Sequence, residues 1–295
     1  MARNRKVTAM KKLFAGLAIG AAAAAATFVS TNEAAAQEIQ LTGPLAHAPA
    51  ARHLRLYREG RIEIAPSFSA TLLDEYRRTL LVGARVNYGI TDWLAIGVWG
   101  AFQGAGFSTS LSNQIDANAP RNSGLVKQNV SQNAGQGEFQ KQVGQISYMA
   151  MPQITAIPFR GKLALFQSVF ADVDAYVFLG AGVVGTKERA DCTDVVSCAT
   201  NHDLQSQNHI APTWGLGFDF YLNSWLGLGL EYRMVPFAWN RAGFDTRGQD
   251  ANGNRTSSGA FPDGQVTSAD ATYRFNSMVS LYLGFSFPQA PKVTD

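Results

Sequence analysis

The amino-acid sequence predicts an all-β fold, an eight-stranded antiparallel up-and-down β-barrel that crosses a membrane. Three observations lead to this prediction: a secretion signal, strands that alternate apolar with polar or small residues, and connections that alternate between short and long. A period of two gives a strand one apolar and one polar face. An exported chain built from such strands is typical of a barrel whose apolar outer face meets lipid.

Residues 1–36 have the composition of a cleaved signal peptide. Five basic residues precede an Ala-rich apolar run over 13–29, and Ala34 to Ala36 supply the small residues that signal peptidase accepts. An uncleaved anchor is the alternative, but the run is short for a membrane span. Cleavage removes those five positive charges and Glu33, so the formal charge of +3 becomes about −1. The basic composition therefore belongs to the targeting segment, and we expect no nucleic-acid partner.

The remaining chain divides into three parts. Residues 37–60 have no sustained period and are assigned as a periplasmic lead-in segment, and residues 61–287 form the outer-membrane barrel. Residues 288–295 follow the last strand as a periplasmic tail. No segment after the signal has about 18 consecutive apolar residues, the length that a transmembrane helix needs.

Eight segments of the barrel region alternate in the expected way, although the fourth is weaker because Pro152 interrupts it. In the last of them the apolar residues include Val279, Leu281, Leu283 and Phe285, with Ser280 and Gly284 among the residues between them. The predicted strands are 61–70, 80–90, 94–107, 145–157, 172–185, 211–222, 226–236 and 271–287.

The connections support a membrane barrel more strongly than any single strand. Short turns follow the second and sixth strands, whereas long polar loops over 108–144, 186–210 and 238–270 follow the third, fifth and seventh. Outer-membrane barrels have short turns at one end and long loops at the other. Two connections are less regular: 73–78 is short, and 158–171 is long enough for an interfacial helical turn. An even strand number places both termini on the periplasmic side.

Aromatic residues mark one end of the predicted barrel. Trp93 and Trp225 occupy equivalent places in a local repeat of polar turn, tryptophan and alternating strand, and Phe287 closes the last strand. Amphipathic aromatic rings are favoured at the headgroup level. We therefore assign these three residues to the membrane interface. Two hairpins of a soluble sandwich are the alternative, although strands of this length are unusual there.

Charged residues fall on the face opposite the aliphatic one, which is the lumen of the barrel. An eight-stranded barrel has an interior just wide enough for side chains to fill it, and an isolated buried charge is very costly. Four acids and four bases can neutralise one another there, and a closed ionic plug is favoured over a selectivity filter in an open channel. The predicted lumen network is Arg61, Glu63, Arg85, Asp174, Asp219, Glu231, Arg233 and Arg274.

Other motifs carry weaker signals. Cys192 and Cys198 lie in a polar stretch of an exported chain, which favours a small disulfide loop. Residues 180–185 match a dinucleotide fingerprint, but no apolar helical period follows them. Residues 250–254 have part of a calcium-loop pattern without its glycine and glutamate. His202 and His209 are the candidates for a rim-site hydrolase, which needs a nucleophile within reach of its base. We predict no catalytic residues, no metal and no cofactor.

Several short runs resemble the outer-membrane β-barrel domain proteins of myxobacteria and their relatives, small barrels of the OmpA/OmpX kind. The resemblance covers most of residues 52–287 and implies an exported, membrane-embedded barrel with no defined activity and no catalytic motif. The runs are those over residues 52–61, 76–80, 87–88, 91–94 and 161–166.

The sequence thus predicts a non-enzymatic integral outer-membrane protein with a structural or surface-interaction role in a Gram-negative envelope. Its expected partners are outer-membrane lipid and, during biogenesis, the barrel-assembly machinery; the sequence names no physiological partner. Three other functions remain open: a narrow, porin-like pore, a rim-site lipid hydrolase, and a soluble periplasmic barrel whose interior rather than exterior is apolar.

Overall fold

A computed structural model describes residues 58–72, 74–118, 138–165, 169–192, 203–246 and 266–288. Side chains are described throughout these ranges except at 138, 162–165 and 169–171. The predicted signal peptide, most of the lead-in segment and most of the tail lie outside the described residues. The processing and the domain boundaries assigned to them stay predictions.

Eight strands form a closed antiparallel barrel in sequence order, which confirms the predicted fold class. The first and last strands pair with each other, with Ile62 opposite Phe287, and this pairing closes the ring. The strands are β1 Ile62–Leu72, β2 Arg77–Gly89, β3 Leu94–Ser108, β4 Gln145–Leu165, β5 Val169–Arg189, β6 Leu204–Tyr221, β7 Leu226–Trp239 and β8 Thr272–Phe287.

Side chains alternate between the lumen and the outer face as the sequence predicts. On β1, Ser67 and Ser69 are buried inside the barrel, whereas Ile64 and Phe68 on the outer face are exposed. Successive side chains of a strand point to opposite faces, so one residue of slippage would reverse the whole pattern. The outer surface is apolar because the large aliphatic and aromatic residues have the outward positions.

The fourth connection differs from its prediction. β4 and β5 are 21 residues each and run to a hairpin in which Leu165 lies opposite Val169, so the predicted interfacial helical turn over 158–171 is wrong. The register shifts between Ala156 and Phe159. A bulge of this kind changes the face on which the following side chains lie, so the period of two is interrupted in the sequence.

The loop predicted over 186–210 is strand at both of its ends, over 186–189 and 204–210. β5 and β6 stay paired until Arg189 lies opposite Leu204, and β4 accompanies β5 as far as Lys187. Outside the apolar band both faces of a strand meet polar surroundings, so the sequence there loses the period of two on which the prediction depends. We call this end of the barrel the long-loop end, and the opposite end, with the turns at 90–93 and 222–225, the short-turn end.

Short helices cover the long-loop end. The chain after β3 forms α1 Ser110–Asn118, and α2 Glu138–Gln142 precedes β4. A single 3-10 turn, Ser268–Asp270, leads into β8 and begins with a capping box at Thr267. Within the described ranges, no helix combines the length and apolar character that crossing a membrane takes.

Candidate functional site in the barrel lumen

Arg85 lies at the centre of the lumen and is almost completely buried. Its Nη1 donates to the Tyr176 hydroxyl at 2.6 Å and to Glu231 Oε2 at 3.1 Å, and its Nη2 donates to Glu63 Oε1 at 2.7 Å. The Asp219 carboxylate lies 3.7 Å from Nη2. A buried guanidinium needs such partners, because its desolvation is otherwise not offset.

Arg233 occupies the next level toward the long-loop end and is fully buried. Its Nε and Nη2 donate to Glu231 Oε1 at 3.0 and 2.7 Å, and Nη2 also donates to Gln153 Oε1 at 2.7 Å. The guanidinium lies between the rings of Trp99 and Phe178, 4.4 and 4.2 Å from their centroids. Glu231 therefore joins the two buried arginines, and each oxygen of its carboxylate serves one of them.

Two tyrosines complete the network around Arg85 and Glu231. Tyr176 donates to Glu231 Oε2 at 2.9 Å, its hydroxyl lies 2.8 Å from that of Tyr282, and Tyr282 donates to Asp219. Each ring lies over the glycine that it faces on the neighbouring strand: Tyr176 is paired with Gly217 and Tyr282 with Gly229, and a Cβ at either glycine would overlap the ring. The alternating glycines of β6 and β7 are thus the space that the tyrosines fill.

Arg58 enters the lumen from the lead-in segment at the short-turn end. Its guanidinium pairs with the Asp174 carboxylate and donates to the Tyr221 hydroxyl, and its backbone N–H donates to Asp92 at 2.8 Å. Arg61 donates instead to the backbone carbonyls of Ser224 at 2.6 Å and Pro288 at 3.1 Å. These contacts hold the chain before β1 inside the mouth of the barrel.

The structure brings seven of the eight predicted lumen residues into the barrel, but not Arg274. The Arg274 side chain is 47% exposed at the long-loop end, where its Nη1 lies 3.9 Å from Glu75. Its position in the alternation is that of an inward residue, and it pairs with Phe237 on β7, but β1 on its other side ends at Leu72, opposite Ser277. Arg58, which is partly buried, takes the place of Arg274 as the fourth base of the network, and Tyr176 and Tyr282 join the network without having been predicted.

Above the ionic network the lumen contains a layer of packed apolar side chains, which the sequence analysis did not predict. The layer is lined by inward residues from seven strands and contains three methionines. Its members are Leu81, Trp99, Ala101, Ile146, Met149, Met151, Val184, Ala211, Val235, Phe237, Trp239 and Met278. Below this layer, a cavity of about 30 Å³ lies among Arg58, Arg85 and Asp219, with room for one or two water molecules.

A cap closes the long-loop end. Phe139 is fully buried and stacks on Phe244 at 5.4 Å, and Tyr76 meets both rings edge-on. The three rings come from the connections after β1, β3 and β7, so the cap joins separate loops. At its margin the Asp74 carboxylate lies 3.4 Å from Arg241, and burial raises the pKa of Asp74 although that cation opposes the shift.

The interface aromatics lie together at the short-turn end. Trp93 and Phe287 are exposed, and the half-buried Trp225 stacks on Phe285 with ring centroids 6.1 Å apart. This is the end to which the sequence assigned them. Whether they meet a headgroup layer stays a prediction.

The remaining motifs show no catalytic geometry among the described residues. His209 Nε2 lies 2.5 Å from Glu188 Oε1 and 3.1 Å from the buried hydroxyl of Thr186. The segment 180–185 lies within β5, paired on both sides. Cys198, His202 and the partial calcium pattern at 250–254 lie outside the described residues, so the predicted Cys192–Cys198 disulfide stays a prediction.

Comparison with known proteins gives fold likenesses only. No protein-family model and no curated protein matches the chain. The N-terminal β-barrel domain of Pseudomonas aeruginosa OprF is similar at 10% identity and a TM-score of 0.34, over 78% of this chain and 98% of that one. The attachment invasion locus protein Ail of Yersinia pestis has 13% identity, a TM-score of 0.32, and coverage of 78% and 99%. A major outer membrane protein from Thermus thermophilus has 11% identity, a TM-score of 0.31, and coverage of 77% and 99%.

Proposed function

We propose that this chain is an integral outer-membrane barrel whose lumen is closed, with a structural or surface-interaction role rather than an enzymatic one. The observation that carries the proposal is the inversion of polarity across the wall. The outer face exposes large apolar side chains on all eight strands, whereas Arg85, Glu231 and Arg233 are buried inside. A water-soluble barrel would not expose so continuous an apolar surface.

The height of the apolar band agrees with the thickness of the hydrocarbon core of a bilayer. On β6, the outward residues from Phe220 through Phe218 and Leu216 to Ile210 form an apolar row, and polar outward residues begin at Asn208. A transmembrane strand needs about 9–11 residues to cross the hydrocarbon core. The long-loop end then faces the medium, and the short-turn end faces the periplasm. Export by the signal peptide, a mature N-terminus at Gln37, and insertion by the assembly machinery belong to the same proposal.

Gel mobility of the membrane fraction tests the membrane proposal. We expect the unheated protein to migrate as a compact band in SDS and the boiled protein to shift, because a closed barrel resists the detergent until heat opens it. We also expect the folded protein to require detergent or lipid to stay dispersed. A chain that remains monomeric and folded in plain buffer would contradict the proposal and favour the soluble periplasmic barrel.

The packing of the lumen predicts that the barrel does not conduct. The ionic network fills its lower half, the apolar layer its upper half, and the cap its mouth. Planar-bilayer recordings of the intact protein should therefore show no steady current. Ohmic channels whose ion preference changes in the Glu231→Gln variant would promote the pore alternative instead.

The absence of enzymatic activity, of a metal and of a cofactor is part of the proposal. The assignment to the myxobacterial-type family is also part of the proposal, and the short sequence runs support it. A rim-site hydrolase would need an accessible nucleophile beside His209, and the nearest hydroxyl there, that of Thr186, is buried. Phospholipid turnover that is lost in the His209→Ala variant would overturn this part of the proposal.

A further inference from the structure

The seam between β6 and β7 is short for strands of 18 and 14 residues. β6 and β7 pair from Tyr221 opposite Gly227 to Trp214 opposite Met234, and the ladder ends there. β6 continues for ten more residues, to Leu204, with β5 paired along one side throughout. Among the described residues, no segment forms a ladder with the other side of Leu204–Thr213.

Two prolines explain why the seam ends where it does. If the register continued by two residues, Pro212 would lie opposite Pro236. The Leu222 N–H donates to Leu226 O at this seam, so even-numbered residues of β6 are the ones that hydrogen-bond toward β7. Pro212 and Pro236 would thus form a hydrogen-bonded pair without either N–H. Pro212 makes no ladder hydrogen bond toward β5, and Pro236 makes none toward β8, so neither proline removes a bond there. Proline is tolerated in a sheet at such positions.

The same alternation identifies the free backbone groups. The Ala190 N–H donates to Asp203 O, so odd-numbered residues in this part of β6 bond toward β5. The N–H and C=O groups of Leu204, Ser206, Asn208 and Ile210 therefore point to the unpaired side. Ser206 and Asn208 are exposed, and Ile210 is 84% exposed.

The edge also lacks the usual protection. Proteins blunt exposed strand edges with charged residues, prolines, bulges or a covering element. The sequence from Leu204 to Ala211 contains no Lys, Arg, Asp, Glu or Pro, and its pairing with β5 has no bulge. The prolines instead hold β7 away, and the edge is left without Lys, Arg, Asp or Glu at the long-loop end.

We propose that this edge of β6 is a binding site for an extended polypeptide segment of another protein, which adds to the sheet as a strand antiparallel or parallel to Leu204–Ile210. The chemistry of the edge defines the partner, since a row of backbone donors and acceptors is matched by another extended backbone. Side chains add little selectivity by charge, so an uncharged, strand-forming segment fits best. The outward position of Ile210 favours an apolar residue at the matching place in that segment.

The test uses the folded protein in detergent micelles and a fluorescent heptapeptide of alternating threonine and valine, followed by anisotropy. We expect saturable binding, weakened about tenfold or more in the Ser206→Pro variant, which loses a seam-facing N–H and introduces a ring. Ser206→Ala is the matched control, because it removes the side chain and keeps the N–H, and should bind within about twofold of the original. A peptide N-methylated on alternate amides should also bind at least about tenfold more weakly.

Three results would overturn the proposal. Equal binding of the methylated and unmethylated peptides would mean apolar adsorption, and no saturable binding would mean that the edge is not available. Dimerisation of the protein that Ser206→Pro abolishes and Ser206→Ala leaves intact would assign the edge to a second copy of the chain. Retained heat-modifiable mobility of both variants shows that the barrel itself has folded, so that loss of peptide binding reports on the edge.

Discussion

Replacing Arg233 with methionine should lower the free energy of unfolding by about 3–5 kcal/mol, because Glu231 is then left buried without one of its two cations. The Glu231→Gln change should have a cost of similar size, since it leaves Arg233 between two aromatic rings without a carboxylate. The double variant should cost less than the sum, because no isolated charge remains. Urea unfolding followed by tryptophan fluorescence in lipid vesicles measures all three.

Arg274→Met is the matched control for this cycle. The Arg274 side chain is half-exposed and 3.9 Å from an equally exposed carboxylate, that of Glu75. Exposed pairs contribute about 0–1 kcal/mol, so this change should be small. Additive costs for Arg233 and Glu231, or a cost for Arg274 as large as theirs, would show that the two buried residues are not energetically coupled.

The second large effect is expected on the outer face. Leu281 is 53% exposed on β8, beside Leu230 on β7 and Phe68 on β1. Leu281→Arg should destabilise the barrel by about 2–4 kcal/mol in lipid vesicles if this position lies near the bilayer midplane. Leu281 is half-exposed, so its replacement removes little packing within the protein. A cost of this size would therefore come from placing a charge in lipid.

Gln114→Arg on α1 serves as the control for a new arginine on an exposed surface. It lies in the long-loop cap and should change stability by less than about 0.5 kcal/mol. Equal and negligible effects of the two substitutions would place Leu281 in water and contradict the membrane proposal.

The alternation of apolar residues was sufficient to predict the number of strands, their antiparallel order and the face on which Arg85, Glu231 and Arg233 lie. It works because lipid and lumen impose opposite polarity on neighbouring residues. Beyond the apolar band that contrast disappears, and the ends of β5 and β6 over 186–189 and 204–210 were therefore predicted as loop. Arg274 has the parity of an inward residue, but β1 ends at Leu72, opposite Ser277, so the neighbouring strand does not enclose its side chain.

Other parts of the site had no sequence signal. Arg58 belongs to a segment without a period, and only the turn at Gly60 directs it back into the lumen. The tyrosine pair was visible as polar-face aromatics, but the glycines that accommodate it lie on other strands. Those glycines could have been found by asking which small residues face Tyr176 and Tyr282 across the predicted ladder.

The contacts of Arg85 have a consequence for how the barrel assembles. Its partners come from five other strands: Glu63 on β1, Tyr176 on β5, Asp219 on β6, Glu231 on β7 and the Tyr282 ring on β8. The β1–β2 hairpin pairs Arg85 with Glu63, but the β5–β6 hairpin holds Asp174 directly opposite Asp219, and the cations beside them, Arg58 and Arg85, come from other parts of the chain. A sheet that contains β5 and β6 without β1 and β2 would therefore hold uncompensated charge in lipid. Closure of the ring and neutralisation of its interior should therefore occur in one cooperative step. An open intermediate would be kept at the membrane surface, where water can still solvate its charges.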